Sequence, residues 1–189
     1  MMGIFSPIMN YTKSGSPYII RHAQVNDAAQ MHRFTRRLLN EGTGLVMSLN
    51  DFQMSINDQM IKNDLSIRTP NSIQLLAVMN EQIIGMLTID IDGLLRTLHR
   101  GTLGIMIDKP FRAQGIGKAL MLQGLKWAND FSTLEKIELE VLESNERAIK
   151  LYEQLGFYIE GKIHRFMKKD TGKYENIIRM GYFLPKVHS

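Results

Sequence analysis

Two glycines separated by one residue and preceded by an arginine are the clearest chemical signal in this sequence. They occur in FRAQGIGKAL, residues 111–120, as Gly115 and Gly117 after Arg112. Glycines at this spacing let a ligand approach the backbone closely, because no Cβ atom intervenes. The first turn of a helix adds free N–H groups and the positive end of its dipole, which together bind anions. The segment therefore predicts a phosphate or diphosphate site, provided that it joins a strand to a helix.

The same loop fails two nucleotide fingerprints. The dinucleotide pattern G-x-G-x-x-G requires a third glycine where this chain has Leu120. The pattern G-x-x-x-x-G-K-[ST] requires glycine at Arg112 and a hydroxyl residue at Ala119. Taken alone, the loop is explained equally well as a tight turn before a helix.

A second segment, NERAIKLYEQLGF at residues 145–157, combines polar and apolar positions at helical spacing. Its apolar face includes Leu151 and Tyr152, and Gly156 is a suitable residue after a helix end. Taken alone, Asn145 is most simply an N-cap and Tyr152 a core aromatic.

The elements that must position these motifs follow from hydrophobic periodicity and turn residues. Strands are predicted at 18–23, on both sides of Asn80-Glu81 as a hairpin, at 102–107, at 136–141, and after residue 157 as two strands joined at Asp170–Gly172. Helices are predicted from Asn26 or Asp27, over residues 49–63 with Asn50 as a cap, after Gly115, and over 145–155. This order predicts an α/β (α+β) domain, with a mixed twisted sheet of about seven strands flanked by about four helices. Residues 1–17 are expected to form a loose arm and residues 18–186 the domain.

Composition excludes several classes of chemistry. The chain has 189 residues, 44% of them hydrophobic, and no cysteine, which excludes disulfides and thiolate catalysis. It has no long apolar run and no signal-peptide pattern, so we expect a cytoplasmic protein without a membrane span. The net charge of +4 lies mostly in residues 160–189. This basic end is either a solvated face or a contact for phosphates.

The two motifs, in this order around the strand KIELEV, resemble the GNAT superfamily of acetyl-CoA-dependent N-acetyltransferases over about residues 72–184. The resemblance implies a single GNAT-like domain that uses acetyl-CoA as co-substrate and no metal. It implies that the glycine loop wraps the coenzyme A diphosphate, and that the backbone of Met106 and Ile107 binds pantetheine and the thioester carbonyl. Tyr152 would act as general acid at the sulfur. The further cofactor contacts implied are Arg112, Ala113, Gln114, Gly115, Ile116, Gly117, Lys118, Asn145 and Lys150.

The implied reaction is direct transfer of an acetyl group to a primary amine in a ternary complex. The acceptor would be a small amine, a polyamine or a protein N-terminus, held between residues 26–63 and 160–184. The general base is not identified, because the strand RGTLGIMI carries no carboxylate. The candidates are His99, just before that strand, and Glu140 on the next, with Glu138 and Glu143 nearby.

Two other classes of function compete with this reading. One is a catalytically degenerate module that binds acyl-CoA as a sensor, supported by the missing carboxylate. The other is a nucleic-acid-binding domain that uses the basic C-terminal hairpin. Only Phe166 and Tyr174 are aromatics near that charge, so we do not expect nucleic acid as a partner. A homodimer is expected only by analogy with the family.

Overall fold

The computed structural model describes residues 5–42, 44–91, 93–169 and 171–185, which form an eight-stranded sheet and four α-helices. The predicted α/β class and the predicted order of elements from residue 18 onward are confirmed. The elements are β1 (Ile8–Tyr11), β2 (Pro17–His22), α1 (Ala28–Asn40), α2 (Ile56–Arg68), β3 (Ile73–Met79), β4 (Gln82–Asp90), β5 (Arg100–Ile107), α3 (Ile116–Phe131), β6 (Lys136–Leu142), α4 (Glu146–Gln154), β7 (Tyr158–Lys168) and β8 (Tyr174–Phe183).

The sheet is mixed, with strand order β1-β2-β3-β4-β5-β6-β8-β7. Its only parallel pair among the described strands is β5–β6, and that pairing is short. It joins Arg100–Thr102 to Lys136–Glu138 and goes no further. Beyond this point the two strands separate, so the backbone groups on their facing edges lack partners from the opposite strand. The sheet therefore has a wedge-shaped opening towards the C-terminal ends of β5 and β6.

Helices cover both faces of the sheet. On one face, α1 packs Met31, Phe34 and Leu38 against apolar side chains of β3 and β4. On the other face, α3 buries Leu120, Met121 and other apolar residues against β3, β4 and β5. At Gly124, a Cβ atom would lie only 2.9 Å from Leu87 Cδ2, which shows how closely α3 approaches β4. The start of α3 is thus fixed against the end of β5.

The β3–β4 hairpin turns at the predicted pair. Asn80 and Glu81 have φ angles of 47° and 63°, the left-handed values that a two-residue type I′ turn requires. The turn after β7 was predicted over Asp170–Gly172. Asp170 lies outside the described residues, and Gly172 adopts a φ of 80° and donates its N–H to the Lys169 carbonyl.

Two predicted boundaries are wrong. Residues 8–11, expected in a loose arm, form β1 and pair with β2, so this part of the arm is an edge strand of the sheet. The second helix begins at Ile56 and not at residue 49, because Ser55 and Asp58 form a reciprocal capping box. The predicted domain end at residue 186 lies outside the described residues. No helix in the described part of the chain has the length and apolarity needed to cross a membrane.

Candidate active site

The loop between β5 and α3 exposes a run of backbone N–H groups. Those of residues 113–118 meet no hydrogen-bond acceptor within the described residues. Ala113 and Gly115 have left-handed φ angles of 72° and 88°, and such residues in a tight loop turn successive N–H groups towards one concave surface. Such a surface at a helix N-terminus binds phosphate groups.

Packing within the protein does not require a glycine at position 117. Its φ is not positive, and a Cβ atom there would meet Ile107, Ile105 and Leu151 at ordinary distances of 3.8–3.9 Å. The fold would accept alanine at this position. A ligand that lay against the backbone would account for a glycine in the first turn of α3.

The side chains of the loop are held in different ways. Arg112 donates through Nε to the Ile107 carbonyl, at 2.9 Å, and through Nη2 to Glu41 Oε2, at 2.6 Å. Gln114 has a buried amide oxygen without a partner among the described residues, so its side chain is turned into the protein. Lys118 is exposed and makes no ion pair within the described part of the chain. The loop thus offers backbone donors, one anchored guanidinium and one free ammonium.

A cavity of about 380 Å³ occupies the wedge between β5 and β6. It passes through the sheet, from the side covered by α1 and α2 to the side of α4. Its lining residues come from α1, the segment that follows it, α2, β3, β4, β5, β6 and the start of α4. They are Thr35, Leu39, Gly44, Leu45, Val46, Met47, Phe52, Met54, Gln59, Lys62, Gln74, Met86, Thr88, Leu103, Gly104, Ile105, Met106, Leu139, Glu140, Val141, Leu142, Asn145 and Tyr152.

Tyr152 lines this cavity from α4. Its side chain is 7% exposed, and its ring lies 6.0 Å from that of Phe157. Its hydroxyl makes no hydrogen bond to any other described residue. Burial raises the pKa of Tyr152 to about 12, because a buried phenolate loses its hydration. The side chain, which lines the cavity, therefore keeps its proton at neutral pH.

Asn145 lies at the same end of the cavity. Its Oδ1 accepts the backbone N–H of Ala148 at 3.3 Å, as predicted for an N-cap. Because the oxygen is used in capping, the amide nitrogen is the atom left for a ligand. A Cβ atom on Gly44 would lie 4.0 Å from that nitrogen, so the segment after α1 closes over it.

The predicted base candidates are separated by the structure. Glu140 lines the cavity, and its carboxylate accepts a hydrogen bond from Arg179 Nε at 2.7 Å. His99 lies before the first residue of β5, at the end of the strand away from the glycine loop, and does not line the cavity. Glu138 pairs with Arg100, and Glu143 bonds Lys162 and Asn176. Of these four, Glu140 is the one with access to the cavity.

Of the other predicted cofactor residues, some line the cavity and some do not. Met106 lines the cavity, whereas Ile107 packs into the core and offers its carbonyl to Arg112. Lys150 is exposed on α4, 4.0 Å from Glu146, and is not a lining residue. Sequence reasoning did not single out Gln59, Lys62, Gln74 or Thr88, which lie on the α2 side. Residues 160–184, expected along the acceptor groove, contribute no lining residue among those described.

Comparison with known proteins identifies the family of this chain. The acetyltransferase (GNAT) family model matches residues 44–157. The L-amino acid N-acetyltransferase AaaT of Escherichia coli is 30% identical over 69% of this chain and 77% of its own length. The spermidine N(1)-acetyltransferase of the same organism is 40% identical, over only 35% of this chain and 38% of its own.

A solved structure extends the similarity to the whole fold. An acetyltransferase of the GNAT family from Streptococcus pneumoniae superposes with a TM-score of 0.84 and 30% identity, covering 88% of this chain and 99% of the other. The family match spans both the glycine loop and the helix that carries Tyr152. The chain belongs to the GNAT acetyltransferase family and is an acyltransferase.

Proposed function

We propose that this protein transfers the acetyl group of acetyl-CoA directly to the primary amine of a small acceptor. The observation that carries the proposal is the junction of two features. The N–H groups of residues 113–118, in the loop and the first turn of α3, have no acceptor among the described residues, and Tyr152 lines the cavity between β5 and β6. A diphosphate bound at the first feature would leave the thioester end of the same molecule to enter the second.

The residues present fit coenzyme A. The backbone of residues 113–118 and the ammonium of Lys118 would hold the diphosphate, and Arg112 would face it from the loop. Asn145 Nδ2 would bind the pantetheine arm, beside Met106 on β5. Ile107 and Lys150 have weaker support, since one is packed in the core and the other stands away from the cavity.

Glu140 is the residue proposed to take up the proton of the amine. An alkylamine has a pKa of about 10.4, so it arrives protonated and must lose a proton before it can attack. Among the described lining residues Glu140 is the one carboxylate, and it would take up the proton directly or through a water molecule. Acetyl-CoA supplies the acetyl group as a thioester. A carbon–nitrogen bond then forms and the carbon–sulfur bond breaks, while an unpaired N–H on the edge of β5 stabilises the charge on the carbonyl oxygen.

Tyr152 is proposed to donate a proton to the departing sulfur. A pKa of about 12 makes the phenol a weak acid against a thiolate, whose ordinary pKa is near 8.5. The same apolar surroundings also raise the proton affinity of a thiolate, which narrows the difference. Tyr152 is thus a hydrogen-bond donor that becomes a full acid only as the carbon–sulfur bond breaks.

The competing functions are less well supported. A degenerate acyl-CoA sensor was suggested by the missing carboxylate on β5, but Glu140 supplies one from β6. A nucleic-acid surface on the basic hairpin is disfavoured because Lys162, Lys169 and Arg179 pair with Glu143, Glu175 and Glu140. The cytoplasmic location and the homodimer stay predictions.

Thermal unfolding with and without acetyl-CoA tests the proposal. A ligand at 100 times its Kd adds about 2.7 kcal/mol of stability. We expect this shift in the native protein and in Leu122→Trp, a control at an exposed position of α3, but not in Gly117→Trp. Release of free thiol with a panel of amines then tests transfer. Absence of a shift at millimolar acetyl-CoA, or of thiol release with every amine, would contradict the proposed function.

A further inference from the structure

Two buried amides, Gln59 and Gln74, form the floor of the cavity on its α2 side, and a third buried amide, Asn63, is hydrogen-bonded to both. Asn63 donates through Nδ2 to the Gln24 carbonyl at 2.7 Å, which fixes its Oδ1 as an acceptor. Gln59 and Gln74 both donate to that oxygen, at 2.8 and 3.1 Å. Gln59 Nε2 also donates to Gln74 Oε1 at 3.0 Å. All three orientations are therefore determined, and the atom left without a partner among the described residues is Gln59 Oε1.

Two hydroxyls extend this polar floor. Thr35 on α1 and Thr88 on β4 line the cavity, and their side chains make no hydrogen bond to other described residues. Gln59 is 5% exposed and Thr35 7% exposed, so these atoms have little access to bulk solvent. Buried polar atoms are nearly always paired. A group with both donors and acceptors is what this floor would bind.

The cavity has one charge of each sign, and they lie at opposite ends. Lys62 lines the α2 side, and Glu140 lines it from β6. Between them run Thr88 and Gly104, which are directly paired on β4 and β5. Since each interstrand step is about 4.8 Å, the charged side chains are separated by at least the width of two strands.

Lys62 is held in place from outside the cavity. Its Nζ donates to Asp90 Oδ2 at 2.8 Å, and Asp90 in turn accepts the Ser72 hydroxyl at 3.0 Å. An ammonium has three N–H donors, so two remain for a ligand. Asp90 is not a lining residue, so the lining residue that carries a charge at this end is Lys62.

The remaining wall is apolar. Met47, Phe52 and Met54 belong to the segment between α1 and α2, and Met86 stands on β4. Methionine side chains adapt to irregular apolar shapes. This wall would accept an aliphatic or thioether side chain.

From this arrangement we infer that the acceptor is a zwitterion, an α-amino acid with an apolar side chain, whose carboxylate is bound by Lys62 and whose amine points to Glu140. The inference rests on the proposed function and names the acceptor class of that same site. A polyamine would place its second ammonium against Lys62, and among the described residues no carboxylate other than that of Glu140 lines the cavity to receive it. Lys62 is thus a specificity-determining residue.

Binding of leucine, leucinamide and spermidine, measured by calorimetry with and without coenzyme A, tests this inference apart from catalysis. We expect the native protein to bind leucine more tightly than spermidine. In Lys62→Met, leucine binding should weaken about tenfold, the value of one charge-assisted contact, while leucinamide binding should be unchanged. Lys126→Met, which removes the same charge on α3 away from the cavity, should behave as the native protein.

The same variants in the thiol-release assay separate the two proposals. The ratio of kcat/KM for leucine to that for leucinamide should fall about tenfold in Lys62→Met. Comparing this ratio between the native protein and the variant cancels differences in amine basicity and in folded fraction. Equal losses for both acceptors would mean that Lys62 only supports the fold, and a preference for spermidine would likewise overturn the inference. Thiol release with spermidine and not with leucine would support the proposed transferase function and reject a zwitterionic acceptor. Selective binding of leucine without thiol release would support the zwitterionic ligand and reject the transferase function.

Discussion

Arg112 Nη2 lies 2.6 Å from Glu41 Oε2, so the glycine loop is tied to the end of α1. A second ion pair, Arg37 to Asp108 at 2.8 Å, joins the same two segments, with the arginine on α1 and the carboxylate beside the loop. Glu41 directly precedes the segment whose residues 44–54 cover the cavity. These ion pairs therefore connect the loop proposed to hold the diphosphate with the segment proposed to hold the acceptor. A diphosphate near Arg112 would also lie close to the Glu41 carboxylate.

Glu41→Gln should tighten acetyl-CoA binding by about two- to five-fold, the range of a partly exposed ion pair. The substitution removes a negative charge close to the proposed diphosphate and leaves Arg112 free to face it. Calorimetric titration with acetyl-CoA measures the change. Asp64→Asn, which removes an equal charge from the exposed Asp64–Arg68 pair, is the control and should not alter the Kd. Weaker binding in Glu41→Gln would show that the carboxylate positions Arg112.

Tyr152→Phe should lower kcat by about 10²-fold with little change in the Kd for acetyl-CoA, because only proton donation to the sulfur is lost. With a pKa of about 12, Tyr152 stays protonated throughout the working range. Ionisation of Tyr152 should therefore cause no loss of rate below pH 10. In this range the pH profiles of the native protein and of Tyr152→Phe should have the same shape. Steady-state kinetics across pH, paired with calorimetry, check both points. Unchanged kcat with the best acceptor would remove Tyr152 from the reaction.

Glu140→Gln should lower kcat/KM for the amine by about 10²-fold at neutral pH, since the amide cannot accept the proton. Part of the rate should return at high pH, where more of the amine is already neutral. Arg179→Met is the matched control, because it breaks the same ion pair while keeping the carboxylate. A similar loss in both variants would mean that the ion pair matters for structure and that the base lies elsewhere.

The sequence indicated those parts of the proposed site that depend on local spacing. Gly115, Gly117, Asn145 and Tyr152 each belong to one short segment whose strand–loop–helix setting can be read from periodicity. Glu140 was recognised as a candidate for the same reason. Its access to the cavity depends on how far β5 and β6 separate, which no local pattern encodes.

The acceptor side could not be predicted in the same way. Lys62 and Gln59 owe their roles to partners on β3 and β4, Asp90 and Gln74, which are distant in sequence. The edge strand β1 was missed because its residues alternate between half-buried and exposed positions, without a fully buried one, and lie between turn-forming residues. The start of α2 was misplaced because Asn50 and Ser55 are both acceptable caps, and only Ser55 completes a capping box.

Gly117→Ala and Gly124→Ala make the same exchange on α3 and should have opposite effects. At Gly117 the new methyl group meets only ordinary contacts, so stability should hold or rise by about 0.4–1 kcal/mol. Acetyl-CoA binding should weaken about tenfold, because the methyl group occupies the proposed diphosphate surface. At Gly124 the methyl group would lie 2.9 Å from Leu87 Cδ2, and overpacking of about 1–3 kcal/mol should exceed the gain in helix propensity. Chemical denaturation and calorimetry on both variants check this; equal acetyl-CoA affinities in the two would remove Gly117 from the cofactor site.

His22 should make stability depend on pH below about 6.5, the ordinary pKa of histidine. Burial lowers the pKa of its imidazole, Nδ1 is buried without a partner among the described residues, and Nε2 accepts the Phe5 N–H at 3.5 Å. The unfolded chain, with an ordinary histidine pKa near 6.5, therefore takes up a proton first as pH falls, so the free energy of unfolding decreases below that pH and is highest above it. Denaturation midpoints at pH 7.5 and 5.5 measure the decrease, and His22→Gln, which cannot be charged, should show a smaller one. If the native protein and His22→Gln lost the same stability over this range, other groups would be responsible.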